Sequence, residues 1–369
     1  MMKILIMNQH FSDYIGGSEL QCDLIAGHLK KYGHEVIYGA INSKGNCYKA
    51  DYKIIPIKKL SFFLLRQIFK ETKPDLVYWR YNKNYLLAAG ILCNHYNVKL
   101  VFSISTFTDI KKWILIKLPN IKIQGIKRRL RSFARLIKVL FSNLINYTGF
   151  FFVDGVVSLR EDLLEDIPSV NNKLLKTCIY NSMEIRISGE FKWNKPYVIW
   201  VASIKERKNP GQYIKMAEKF IDKKVDFLMV GKIQDSSYSF INDKYNLPGN
   251  FFYLGEKQLE EVNSIIKSSL FLISTCSPEG FSNNFIQAWM LGKPTITLFF
   301  DPDGLIEKYN IGYLSKTFNN MCTDTNSLIE NETVRLEMGN RARRLALELF
   351  DPEKNIKKFI EFFEDVLKN

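Results

Sequence analysis

The stretch SPEGFSNNFIQAWMLGKPTI, Ser277 to Ile296, decides how the chain is read. It follows an apolar strand-like run, LFLIST (Leu270 to Thr275), turns at Pro278 and Gly280, and opens a helix near Ser282 or Asn283. The helix stops at Gly292, and PTITLF (Pro294 to Phe299) comes next. Strand, helix and strand in so few residues make a parallel crossover unit. Such a helix start leaves first-turn N–H groups unpaired, and here they fall at a strand's carboxyl end, which suits a diphosphate. Glu279 sits in the turn, where a carboxylate can accept hydrogen bonds from a ligand's hydroxyls, and Gln287 lies one turn beyond Asn283 on its face.

The same rhythm extends outward in both directions. Upstream, YVIWVAS (Tyr197 to Ser203), DFLMVGK (Asp226 to Lys232) and NFFYLG (Asn250 to Gly255) are strand-like runs separated by helix-length stretches. Before a polar interval, Asn181 to Asn194, a first series starts with KILIMN (Lys3 to Asn8) and a loop holding Gly16-Gly17. It continues through HEVIYGA, PDLVYW (Pro74 to Trp79), KLVFSIS (Lys99 to Ser105) and DGVVSL (Asp154 to Leu159). The expected fold is α/β: two doubly wound, parallel-sheet, Rossmann-like domains facing across a cleft. The first spans residues 1–185 and the second residues 195–350. A helix over 351–369 is expected to pack back on the first domain.

A length of 369 residues with 46% hydrophobic content agrees with two cores. Six cysteines are scattered without a C-x-x-C pair, which points to reduced thiols in a cytoplasmic protein. No apolar run reaches the length of a membrane span or a signal peptide. The net charge is +14, and ten Lys and Arg with no acid lie between Lys111 and Val153, so the basicity is local.

The run from Ser277 to Ile296 resembles the signature of the family four retaining glycosyltransferases: Glu-Gly-Phe, a short helix carrying a second Glu, a Gly stop, then Lys-Pro and a strand. Glu279 matches the first Glu, and Gln287 stands at the second. Gly16-Gly17-Ser18-Glu19, VASIKERK (Val201 to Lys208) and YLGEKQLEE fit the family in the same order. The resemblance is weakest from about Lys111 to Tyr147.

That resemblance implies a glycosyltransferase B fold and a sugar transfer with retention, in cell-surface polysaccharide or lipopolysaccharide synthesis. It implies a UDP- or GDP-type sugar donor as substrate, no cofactor, no metal, and a glycan or lipid-linked acceptor. Glu279 and Lys208 would be catalytic, the first on the transferred sugar and the second on the diphosphate. Gly280, Phe281, Ser282, Asn283, Asn284, Gln287, Ser203 and Arg207 would bind the donor, with Gln287 toward the ribose. On the acceptor side stand Gly16, Gly17, His10, Ser105 and Thr106. Three positions depart from the family. Gln287 lacks the charge of a carboxylate; Ala202 and Ser203 replace a Gly and an Arg, leaving Arg207 or Lys205 to supply the cation; and Ser105 and Thr106 stand where many relatives carry a His.

Two other classes share parts of this pattern. A sugar-nucleotide epimerase has a similar two-domain fold but needs no acceptor, and a nucleic-acid-binding protein would use the basic block, with steep salt dependence. The transferase reading expects no nucleic acid. Within the block, Gln124 to Ile145 has helical spacing of apolar residues with a cationic flank, which predicts a helix lying on the anionic inner face of the plasma membrane.

Overall fold

The computed structural model describes residues 1–14, 16–110, 137, 140–141, 144–145, 147–167, 173–277 and 280–369. It divides into two compact units, Met1–Tyr180 together with Pro352–Asn369, and Asn181–Asp351. Each unit is built on one all-parallel sheet.

In the first unit seven strands stand in the order β3-β2-β1-β4-β5-β6-β7. They are β1 (Lys3–Asn8), β2 (Glu35–Ile41), β3 (Lys53–Ile57), β4 (Leu76–Trp79), β5 (Lys99–Ile104), β6 (Gly155–Ser158) and β7 (Leu175–Cys178). All their ladders are parallel. The central strands are buried along nearly their whole length, and LVYW of β4 throughout, which is why they read as continuous apolar runs. Alternate residues feed two cores. Leu5, Met7, Val77 and Trp79 pack under α2 (Phe62–Thr72) and α3 (Leu86–Tyr96). Ile4, Ile6, Leu76 and Tyr78 pack under α1 (Gly17–Lys31) and the C-terminal helix Pro352–Lys368.

That C-terminal helix is part of the first core. Phe359 and Phe363 lie against the Tyr78 ring with centroids 5.7 Å away, and Asn355 Nδ2 donates to the Tyr180 carbonyl at 3.2 Å. A Cβ on Gly155 would come within 2.7 Å of Val366, so the strand admits the helix only because it lacks a side chain there.

In the second unit six strands stand in the order β10-β9-β8-β11-β12-β13. They are β8 (Tyr197–Val201), β9 (Asp226–Val230), β10 (Phe251–Tyr253), β11 (Leu272–Ser274), β12 (Thr295–Thr297) and β13 (Gly312–Leu314). The chain steps outward from β8 to β10, returns to β11 beside β8, and steps the other way. Neighbouring strands whose connections leave in opposite directions open a crevice at their carboxyl ends, the usual ligand position in open parallel sheets. In the first sheet the corresponding point lies between β1 and β4.

Three strands of the sheets escape the sequence reading: β3, β7 and β13. All three are edge strands, and β3 (KIIPI) carries Pro56, which a central strand would not tolerate.

The longer helices of the second unit are α4 (Pro210–Lys219), α5 (Leu259–Ser268), α6 (Asn283–Met290), α7 (Phe318–Glu330) and α8 (Glu332–Leu349). Gly292, at φ +71°, ends α6, and α8 crosses it at Gly339, where a Cβ would overlap the Gly292 carbonyl oxygen. Backbone meets backbone here, so no side-chain rotamer relieves the clash. Gly339→Ala should therefore lower stability by about 2 kcal/mol or more, as overpacking does. Differential scanning calorimetry showing an unchanged melting temperature would contradict this account of how α6 is seated.

Candidate functional site

In the second unit the sequence-predicted donor residues gather at the carboxyl ends of β8 and β11. Trp200, on β8 and 2% exposed, donates its indole N–H to the Thr275 hydroxyl at 3.0 Å. Thr275, fully buried beyond β11, donates in turn to the Lys208 carbonyl at 2.9 Å. Ser277 N–H donates to the Arg207 carbonyl at 3.1 Å. Asn284, in the first turn of α6, donates to the Val201 carbonyl. The loop after β8, the loop after β11 and the start of α6 are thus tied to one another, and Val201, Ala202, Lys208, Ser282 and Asn284 line a small cavity between them.

The N-terminus of α6 is suited to an anion. Ser282 occupies the N-cap without a side-chain hydrogen bond, and the first turn has no acid. The first-turn amides and the positive end of the helix dipole carry a partial charge that a diphosphate complements. Asn283 Oδ1 accepts from Asn181 Nδ2 at 2.9 Å. Lys208 is partly buried and Arg207 exposed, whereas Lys205 reaches Gln234 Oε1 at 3.3 Å, beyond β9. Ser203 and Gly280 are both partly buried, Ser203 in the loop after β8. Glu279, with Pro278, lies outside the described residues.

Two donor-list residues sit differently from the sequence picture. The Phe281 ring is 7% exposed and packs against Phe350 and Trp289 at centroid distances of 5.3 and 6.2 Å, so its side chain anchors the turn. Gln287 is 2% exposed and donates from Nε2 to Asn263 Oδ1 at 2.8 Å. Asn263, fully buried on α5, donates from Nδ2 to the Arg186 carbonyl at 2.8 Å. That carbonyl can only accept, so it fixes the orientation of both amides. The Gln287 nitrogen must face Asn263, and its oxygen is the other branch.

In the first unit the loops after β1 and β5 hold the remaining residues. His10 is 2% exposed, boxed by the rings of Tyr38 and Tyr48 at 5.0 and 4.9 Å. Its Nδ1 accepts from Ser12 N–H at 3.1 Å, which leaves Nε2 to donate to the Tyr52 hydroxyl at 3.2 Å. Tyr52 then donates to Asp23. This histidine closes the β1 loop over a tyrosine cluster instead of facing outward. Gly16 is the extended N-cap of α1, and Gly17 begins the helix. The acid at that helix end is the chain's own: the Glu19 carboxylate folds over Gly16, and burial raises its pKa. At the end of β5, Asp109 accepts from the backbone N–H groups of Ser105 and Thr106 at 3.0 and 2.8 Å. Burial raises the Asp109 pKa, and those two hydrogen bonds oppose the rise. Ser105 and Thr106 therefore serve a turn that Asp109 organises.

Sequence reasoning missed Thr275, Asn263 and Arg80. Arg80 directly follows β4 beside β1, is 6% exposed, and lies 3.5 Å from the Tyr78 hydroxyl. Its signal is a lone cation closing the apolar run PDLVYW. Among the described residues, no three His, Cys, Asp or Glu are grouped so as to hold a metal ion.

Two all-parallel, doubly wound α/β units in one chain define the class of the glycosyltransferase B fold. A glycosyltransferase from Rickettsia africae matches with a TM-score of 0.74 at 16% identity, over 100% of this chain and 99% of that one. Anabaena HepE, solved in complex with UDP and glucose, matches with a TM-score of 0.68 at 15% identity, over 99% and 100%. Residues 181–345 match the family described as glycosyl transferases group 1. A poly(ribitol-phosphate) alpha-N-acetylglucosaminyltransferase of Staphylococcus aureus (strain COL) is 24% identical over 224 residues, 57% of this chain and 44% of that one. The chain spans less than half the length of the curated relatives it matches. The chain thus has the glycosyltransferase B fold, and its second unit matches the glycosyl transferases group 1 family.

The amide chain from Gln287 to Arg186 makes position 287 sensitive to charge. Glutamate at 287 would set a carboxylate against Asn263 Oδ1 in a buried site, or force Asn263 to turn its oxygen toward the Arg186 carbonyl. Gln287→Glu should therefore cost about 1–3 kcal/mol of stability. A denaturation midpoint equal to the wild type would refute the amide assignment. His10 gives a second expectation. Burial lowers its pKa, with Asp23 and Asp13 opposing the shift in part. The unfolded chain then takes a proton that the folded chain refuses, so stability is full above about pH 6.5 and falls below it. Urea midpoints measured above and below that pH should converge in His10→Gln, and an equal pH slope in both proteins would count against this.

Proposed function

We propose that this chain transfers a sugar, with retention of anomeric configuration and without a metal, from a nucleoside-diphosphate sugar to a glycan or lipid-linked acceptor of the cell surface. The observation that carries the reading is the acid-free N-terminus of α6 beside Lys208, at the point where β8 and β11 part. A diphosphate there would meet amides on one side and an ammonium on the other. Negative charge grows on it as the sugar leaves, so these groups would stabilise the transition state more than the ground state.

Glu279, by its place in the motif, would accept hydrogen bonds from the transferred sugar. Gln287 would offer its Oε1 to a ribose hydroxyl, and Arg207, the exposed cation of the loop, would stand in for the missing family Arg at the outer phosphate. The acceptor class is supported by the name of the Staphylococcus aureus relative, and within the UDP or GDP type of donor the UDP form is supported by the complex in which the Anabaena protein was solved. A lipid-linked acceptor would place the enzyme at the inner face of the plasma membrane. The basic segment 124–145 that the sequence assigns to that contact lies largely outside the described residues, and no described helix is long and apolar enough to cross a membrane.

A panel of UDP- and GDP-sugars should contain one that raises the melting temperature. Lys208→Ala and Glu279→Ala should each lower kcat/KM with that donor by about 100-fold, or about 2.7 kcal/mol, with little change in fold. Steady-state kinetics near wild type in either variant would remove that residue from the site.

A further inference from the structure

Residue 287 is an amide where the family resemblance expects a carboxylate. A carboxylate accepts hydrogen bonds on both of its oxygens, whereas an amide accepts on one branch and donates on the other. Glutamate can therefore meet a hydroxyl whichever way it is turned. Glutamine must be turned the right way, and some neighbour has to turn it.

That neighbour is on α5. Asn263 is fully buried; its Oδ1 accepts from Gln287 Nε2 at 2.8 Å, and its Nδ2 donates to the Arg186 carbonyl at 2.8 Å. A carbonyl has no proton to give, so the direction is set at Arg186 and passed through Asn263 to Gln287. The backbone around Arg186 is itself fixed on both sides. Met183 N–H donates to the Phe350 carbonyl at 3.1 Å, and Ser188 N–H donates at 3.1 Å to Oγ of Ser264, the residue after Asn263 on α5. Asn181 Nδ2 donates to Asn283 Oδ1 in the first turn of α6. The stretch 181–188 is thus pinned to both of the helices whose side chains it orients.

The other branch, Gln287 Oε1, accepts from no described residue. Gln287 is 2% exposed, and a polar atom at that depth is costly to leave unpaired. We infer that Asn263 is a positioning residue of the donor site: it holds Gln287 so that Oε1 alone is offered to a ribose hydroxyl of the nucleoside diphosphate. An amide then serves where a carboxylate is expected. This rests on the ribose contact proposed above for Gln287 and adds the residue that gives the contact its direction. Asn263 also dictates what residue 287 can be. Beside it a glutamate sets an oxygen against Oδ1. With the asparagine side chain gone, a glutamate still has an acceptor on the ribose side, and a water in the vacated space can donate to its second oxygen and to the Arg186 carbonyl.

The test is calorimetric titration of the full chain with UDP, repeated with GDP. Asn263→Ala should raise the dissociation constant about fivefold, because the freed Gln287 must be ordered on binding. Gln287→Glu alone should also weaken binding, whereas the same change made together with Asn263→Ala should restore it to within about twofold of wild type. A merely structural role for Asn263 predicts that the two losses add. Steady-state kinetics with an active donor should place the Asn263→Ala effect in KM, with kcat within about twofold of wild type. Asn263→Ser, whose hydroxyl is too short to span Arg186 and Gln287, carries the same expectation where the alanine variant does not fold. Additive losses, or wild-type affinity in Asn263→Ala when Gln287→Ala binds weakly, would overturn the positioning role and leave the ribose contact standing. Wild-type affinity in Gln287→Ala, or no binding of either nucleotide by the wild type, would remove the contact and the positioning role together.

Discussion

Between the two central strands of the second sheet, the Trp200 indole donates to Thr275, and Thr275 donates to the Lys208 carbonyl. Thr275 has one proton to give, and it is spent on a loop more than sixty residues away in the chain. Each bond is worth only about 1 kcal/mol net, yet the pair is buried, where an unmade bond would cost more than a made one gains. The loop after β8 is held by partners of this kind in addition to the core packing of Ile204. Gly231, at φ +149°, lets the Ala202 carbonyl approach closely, and Ile204 N–H donates to the Lys232 carbonyl at 2.8 Å. Lys208 therefore leaves a fixed backbone at the crevice, and only its flexible stem has to be ordered when an anion arrives.

The residues that decided the fold in the sequence are those with a repeated physical reason. Central parallel strands are buried on both faces, so β1, β4, β5, β8 and β9 announce themselves as apolar runs, and α6 is legible from its turn and its glycine stop. Edge strands have one free side, β3 (KIIPI) is interrupted by Pro56, and β7 (LKTC) and β13 (GYL) are too short to show a period. Pairing with β6 and β12 makes them strands, and pairing is a tertiary fact that no local pattern contains.

The site was legible in its chain positions but less so in its side chains. A motif places Phe281 and Gln287 beside the turn. It does not show that the Phe281 ring turns in toward Phe350, or that Gln287 is paired to an asparagine 24 residues upstream. His10 illustrates the same limit. A histidine past the first strand suggests proton chemistry, whereas Tyr38, Tyr48 and Tyr52, from elements far along the chain, enclose it. In both places long-range partners decided what the side chain does, and polar groups that are buried must find such partners.

The helix Pro352–Lys368 belongs to the first sheet's core, although in the sequence the whole second unit intervenes between it and the other residues of that core. During synthesis the second unit, being continuous in sequence, has everything it needs once Asp351 has left the ribosome. The first unit, made earlier, must wait for Ile356, Phe359, Phe363 and Val366, with the apolar surface they will cover still open. At ordinary elongation rates of about 5–20 residues per second the delay is on the order of ten seconds or more. The order of completion is thus the reverse of the order of translation, and the interval in which the nascent chain is most exposed to aggregation or to chaperones is set by the length of the inserted unit.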